Sequence, residues 1–294
     1  MTPGQALLLV LLAAIWGASF VFIRVAAPAF GPLPLMATRM VIAVAALLLY
    51  VALTRTRLDL GRSRGRFLVL GAFNSAIPFA LIATAELSLS ASLGSILNST
   101  SPLFSVFVAR IAFGAALRGP QVVGAVVGIG GVAALVGVGE VSNDPSFLLA
   151  VAASLAAALS YAIGASYAGR AFPGLRPLDI AVGQSLGAAV VLLPGALLTP
   201  PRSMPPPEAV ASLLALALLG TVLAYLIYFR LIAAVGATRA IAVTFLIPVF
   251  GVLFGVLFLG EAAGANLIAG MALILTGVAL VTGVVGGARK EPPT

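Results

Sequence analysis

The chain is 294 residues long, 62% hydrophobic and 8% charged, with a mean hydropathy of +1.20, which leaves too little polar surface to coat a soluble globule. Its formal charge of +8 would suit a nucleic-acid binder, but sixteen Lys and Arg scattered along the whole length form no dense basic face. Cysteine and histidine are both absent, which removes disulfides, thiolate nucleophiles, imidazole relays and nearly every transition-metal site, so no metal or other cofactor is expected.

In chain order, apolar segments of roughly twenty residues, the length a helix needs to cross a bilayer's hydrocarbon core, recur ten times. They fall at about 5–26, 33–54, 67–87, 92–114, 119–138, 146–168, 178–198, 208–232, 239–258 and 264–285, with Gly and Pro at most junctions. The first span is too long for a secretory signal and lacks a basic lead, so it is expected to be retained. No polar loop leaves room for a soluble domain, and residues 1–294 are expected to form one all-α integral membrane body. With the N terminus in the cytoplasm, that side collects Arg55, Arg57, Arg62, Arg64, Arg66, Arg110, Arg118, Arg170, Arg176, Arg230, Arg239, Arg289 and Lys290. Only Arg24, Arg39 and Arg202 lie toward the other side, so both termini are expected inside. The Arg-rich, Ala-rich and nearly Lys-free composition suggests a bacterial inner membrane.

Compared with itself at an offset of 146, the chain shows an internal repeat, about 1–140 and 145–290. Pro102 matches Pro248, Phe104 matches Phe250, Gly114 matches Gly260 and Gly124 matches Gly270; Gly131-Val132-Ala133 matches Gly277-Val278-Ala279, and Gly137-Val138 matches Gly283-Val284. Eleven of the thirty-seven positions from 102 to 138 are identical, against about five by chance. Five spans per unit force the second unit to enter from the opposite face. The repeat is therefore inverted, which places a binding site near the midplane and suits transport by rocking.

The first span reads AAIWGASFVFIR, the second carries Arg39 in MATRMVIAV, the fourth has NSTSPLFSVF and the ninth ends IPVFGVLFGVLFLGE. In their order and spacing these segments resemble the EamA-type drug/metabolite transporter superfamily over nearly the whole chain, and within it the YddG-type amino-acid exporters. The resemblance implies ten helices in two inverted five-helix repeats around a central cavity lined by the first, third, fourth, sixth, eighth and ninth spans. In one respect the chain departs from the family: Gly260 is followed by Glu261, but Gly114 by Ala115.

Those spans direct attention to their mid-depth polar and aromatic residues. Asn98, Ser101 and Ser105 sit at i, i+3 and i+7, and Asn98-Ser99-Thr100-Ser101 is the most polar run inside any span. Pro102 frees a carbonyl near Asn98 and, with Pro248, is expected to act as a hinge or kink. These small polar residues either line the cavity or let helices pack closely. Thr221, Tyr225 and Tyr228 form a second face, Ser154 and Tyr161 a third, and Trp16 lies too deep for an interfacial belt. Asn74 and Pro78 share a face with Leu81 and Ile82; Thr244, early in the ninth span, completes the candidate set.

Among the charges, Glu86 near the outer end of the third span either binds a substrate ammonium, titrates as a coupling group, or pairs with Arg24 or Arg39. Both arginines are expected to be structural or to snorkel. Glu261 is expected to cap or position the tenth helix. Gly124 and Gly128, with Gly131, Gly270 and Gly277, suit close helix contact, within the protomer or in a homodimer.

The expected function is secondary transport outward of amino acids and related small amphipathic metabolites. No GxxxxGK[ST] loop is present to hold ATP. A multidrug cation exporter keeps the fold, but the first span lacks the deep glutamate that such exchangers use. Sugar phosphates would call for several midplane cations. A membrane enzyme lacks an activating base, since no His exists and the only Lys is Lys290. A channel would display charge rings or a filter loop.

Overall fold

The computed structural model describes residues 1–137, 144–236, 240 and 242–283, with only the backbone of Arg62. Val138, Arg239, Val284, Arg289 and Lys290, invoked above for repeat or topology, lie outside the described residues. All regular structure among the described residues is helical. The helices are α1 (Pro3–Phe30), α2 (Pro32–Leu53), α3 (Arg64–Ala85), α4 (Ala91–Phe113), α5 (Gly119–Gly137), α6 (Pro145–Ala171), α7 (Pro177–Leu198), α8 (Pro207–Val235), α9 (Val243–Leu259) and α10 (Ala265–Thr282). All but α9 are at least eighteen residues long and apolar enough to cross a membrane.

Their packing repeats in pairs. α1 lies against α8 and α9, as α6 lies against α3 and α4; α3 packs on α7 as α8 packs on α2; α2 meets α7, and α5 meets α10. Exchanging the first five helices for the last five maps each of these contacts onto another or onto itself, the signature of an inverted repeat. A feature invisible in hydropathy supports the same register. α3 widens into a π-turn at Ala72–Ala76 and α8 at Leu218–Leu223, so the two π-turns begin 146 residues apart. Such turns interrupt the i→i+4 ladder and often stand at functional sites.

The glycine seam is consumed inside the protomer. A Cβ on Gly124 would lie 2.6 Å from the Gly277 carbonyl oxygen, and one on Gly277 would lie 2.7 Å from the Gly128 nitrogen. These glycines allow α5 and α10 to touch backbone to backbone, a contact that stands in for hydrophobic attraction where lipid is the competitor.

The continuous polar face expected on α4 does not exist. The helix breaks at Ser99 and Thr100, and Pro102 opens its second half, so Asn98 lies on a different segment from Ser101 and Ser105. Pro248, by contrast, lies within the continuous α9.

Glu261 also acts elsewhere than expected. Gly260 turns the chain at φ +67, and the Glu261 carboxylate then accepts from the Ala91 and Ser92 amides at 2.7 and 2.9 Å and from the Ser92 hydroxyl at 2.5 Å. It therefore caps α4 of the other repeat, where exposed amides and the helix dipole favour an anion, and not α10. α10 begins at Gly264 with no side-chain cap. Ala115 has no carboxylate with which to repeat the device.

On the face where α1 begins, the α2–α3 loop is tied to α7. Asp179 accepts from the Arg176 guanidinium at 2.9 and 3.0 Å and from the Asp59 amide at 3.2 Å, while Arg176 also donates to the Arg57 carbonyl. The hydrogen bonds and charge of Asp179 hold Arg176 above its usual value.

Candidate functional site

Along α2 the buried stripe runs Leu35, Met36, Arg39, Met40, Ala43 and Leu47, while Val41, Leu48 and Leu49 face outward. Arg39 is the one charged residue of α2, and it is 3% exposed. Its Nε donates to the Thr221 hydroxyl at 3.0 Å, Nη2 reaches the Gly220 carbonyl at 3.5 Å, Nη1 faces the Met36 sulfur at 3.8 Å, and the Phe79 ring lies 4.1 Å from Cζ. Thr221 passes its own proton to the Leu216 carbonyl, an i→i−5 bond that spans the π-turn.

The partner half of this arrangement uses a neutral side chain. Arg39 lies seven residues after Pro32, which opens α2, and Gln184 lies seven residues after Pro177, which opens α7. Gln184 is buried and accepts from the Asn74 amide at 3.1 Å, in the π-turn of α3. Tyr225 is buried beside Ser75 and Gln184. Tyr161 meets the Phe79 ring edge-on, with centroids 6.3 Å apart, and the phenols of Tyr161 and Tyr225 are the ionisable groups that face Arg39. Two cross-repeat contacts, α2 onto α8 and α7 onto α3, thus surround one buried polar and aromatic cluster.

Of the expected residues, Asn74, Tyr161 and Tyr225 meet here, and Pro78 and Ile82 belong to the same buried wall of α3. Trp16 packs with Tyr228, centroids 5.5 Å apart, in a neighbouring apolar group of α1, α8 and α9. Thr100 spends its hydroxyl on the Leu97 carbonyl within α4, while Ser101 donates to the Ala158 carbonyl of α6, the helix-packing use. Asn98 Oδ1 is buried without a hydrogen-bond partner among the described residues, and Thr244 is half-buried in the first turn of α9.

Glu86 lies seven residues beyond Phe79, about 10 Å along the helix axis. Its carboxylate is fully buried and neither oxygen has a hydrogen-bond partner among the described residues. It pairs with neither arginine. Arg24 donates instead to the backbone carbonyls of Glu86 and Leu87, a structural role. Arg39 neither snorkels nor finds a carboxylate; the only ion pair among the described residues is Arg176–Asp179. The sequence reading passed over Phe79 and Gln184; the repeat offset of 146 pairs Arg39 with Ser185, one residue beyond Gln184.

The EamA-like transporter family matches residues 4–137 and 148–283, one match in each half of the chain. The chain belongs to that family. It is similar to the inner membrane transporter YedA of Escherichia coli K12, 26% identical over 91% of this chain and 87% of that protein. A probable terminal-alkyne amino-acid exporter of Streptantibioticus cattleyicolor is 25% identical over 97% and 96%, and the transporter YvbV of Bacillus subtilis 27% over 94% and 90%. A crystal structure that covers 95% of this chain and 96% of its own, with 19% identity and a TM-score of 0.66, shares the fold. This EamA protein is a multi-pass inner-membrane transporter, as these relatives are named transporters or exporters.

Proposed function

We propose that this transporter moves amino acids and related small metabolites outward by alternating access, the two repeats rocking about the crossing of α2, α3, α7 and α8. The observation that carries the reading is the cluster of Arg39, Asn74, Phe79, Tyr161, Gln184, Thr221 and Tyr225, in which the Arg39–Thr221, Asn74–Gln184 and Phe79–Tyr161 contacts cross between repeats. A solute held there touches both moving halves, which couples its binding to their relative position. Amide, hydroxyl and aromatic groups suit a small zwitterion with an apolar side chain. Similarity to a protein named as an amino-acid exporter points the same way.

Both termini lie in the cytoplasm on this reading, since the face where α1 begins carries Arg55, Arg57, Arg64, Arg66, Arg170 and Arg176. The polar break of α4 at Ser99–Thr100 and the buried Pro248 of α9 serve as the points at which these helices bend. The test is counterflow of labelled amino acids in liposomes that contain the purified protein. Saturable flux, competed by unlabelled amino acid and absent from empty liposomes, supports the reading; flux of other metabolites alone overturns the amino-acid assignment.

A further inference from the structure

We infer that Arg39 is the substrate's anion anchor, and that it selects solutes bearing one carboxylate. The inference rests on the proposed function in one respect: a solute must reach the cluster between the repeats.

A guanidinium carries five N–H donors and stays charged at any physiological pH. Here one donor has a normal hydrogen bond, to Thr221, one has a long contact to the Gly220 carbonyl, and Nη1 has only the Met36 thioether, a weak acceptor. The Phe79 ring offers its face but no charge. No carboxylate stands within ion-pair distance among the described residues, and the ionisable groups facing Arg39 are the two phenols, neutral at physiological pH. A charge buried between apolar helices without a counter-ion is costly, and such residues mark substrate or ion pathways. A carboxylate matches the planar fork with two parallel hydrogen bonds.

The pseudo-symmetry limits the anion's charge. The corresponding contact from α7 is made by the neutral Gln184, already engaged with Asn74. Arg24 lies near the outer end of α1, and its guanidinium is held by the carbonyls of Glu86 and Leu87. Among the described residues, one cation therefore faces the cluster. That is enough for a monocarboxylate and too little for a phosphate dianion, which draws several cations. Tyr161, Tyr225, Asn74 and Gln184 offer hydroxyl and amide oxygens to a substrate ammonium on the other side of the fork. An amine that lacks the carboxyl group would bring a like charge to Arg39 and is rejected.

The experiment compares three probes in liposomes containing full-length protein: phenylalanine, its carboxamide and phenethylamine, together with an apolar monocarboxylate such as hydrocinnamate. The wild type is expected to favour phenylalanine over its amide by at least about tenfold, the loss that follows removal of a charge-assisted pair. Arg39→Gln should abolish that preference, and Arg39→Lys should restore part of it, with a single donor point in place of the fork. The wild-type comparison needs no variant, so a poorly folding Arg39→Gln protein leaves the inference falsifiable. If phenylalanine and its amide are carried equally, or Arg39→Gln lowers the Tm but keeps the acid-to-amide ratio, Arg39 is structural and the inference fails while amino-acid transport stands. If hydrocinnamate is carried in an Arg39-dependent way and no amino acid is, the anchor stands and the amino-acid assignment falls. If only phenethylamine moves, both fail.

Discussion

Arg39 and Gln184 each lie seven residues after the proline that opens their helix, and each reaches the π-turn of the other repeat's third helix, Arg39 onto Gly220 and Thr221, Gln184 onto Asn74. The backbone device is duplicated and the side chain is not. One slot is filled by a fixed charge and the other by an amide, so the centre of the transporter is symmetric in shape and asymmetric in electrostatics.

The cap that Glu261 provides joins the repeats on the face opposite the start of α1. Replacing it with Ala leaves the Ala91 and Ser92 amides without their acceptor, at a cost of about 1–3 kcal/mol. Glu261→Ala should lower the Tm in detergent, while Glu208→Ala, an exposed carboxylate in the first turn of α8, should shift it far less. Equal Tm values for the two variants would refute the cap.

At Gly277 a larger side chain would drive α10 from α5. Gly277→Leu is expected to destabilise the fold by more than about 2 kcal/mol, as overpacking does. The seam is internal, so the surviving folded fraction should keep the wild-type oligomeric state by size exclusion with light scattering. A clean change of oligomeric state at unchanged Tm would place the glycines at a subunit interface instead.

Glu86 has no donor for either oxygen among the described residues, so a neutral side chain of the same shape should fit at least as well. Glu86→Gln is predicted to hold or raise the Tm and to leave amino-acid flux intact, with flux in both proteins indifferent to an imposed pH gradient. Loss of flux together with loss of a pH-gradient response would make Glu86 the coupling group.

Asp144 caps α6 from an exposed position, accepting from the Ser146 hydroxyl at 2.7 Å and amide at 2.9 Å, and these hydrogen bonds hold its carboxyl below the usual value. A folded-state pKa below the unfolded one gives stability that is present above the unfolded pKa, about 4. It is lost as the pH falls through the folded value. The Tm gap between wild type and Asp144→Ala should therefore be widest near neutrality and narrow as the pH drops below about 4. A gap constant across that range would show that the charge contributes nothing.

The spans were legible because twenty apolar residues between Gly, Pro and Arg junctions have one economical arrangement in lipid, and each expected span lies within a few residues of a helix. The site was less legible for a physical reason. In a lipid-bathed helix the outward and inward faces are both apolar, so the period that betrays a soluble core is weak; on α2, Val41 and Leu48 face out while Met36 and Met40 face in. Arg39 shares the stripe of Met36, Met40 and Ala43, a sign of burial that its distance from the span's end concealed. The π-turns at Ala72 and Leu218 have no signature in hydropathy, and the grip of Glu261 on α4 spans 170 residues of sequence. For Ser101, whose sequence allowed either cavity lining or helix packing, the hydroxyl is spent on the Ala158 carbonyl.

A solute bound where the repeats cross would be seen in amino-acid counterflow in liposomes, with wild type run beside Tyr225→Phe, Asn74→Ala and Ser105→Ala. Saturable flux that falls at least about tenfold in the first two and persists in the third, whose hydroxyl only bonds the Ser101 carbonyl, is the predicted result. Flux equal in all four proteins would contradict a site at that crossing.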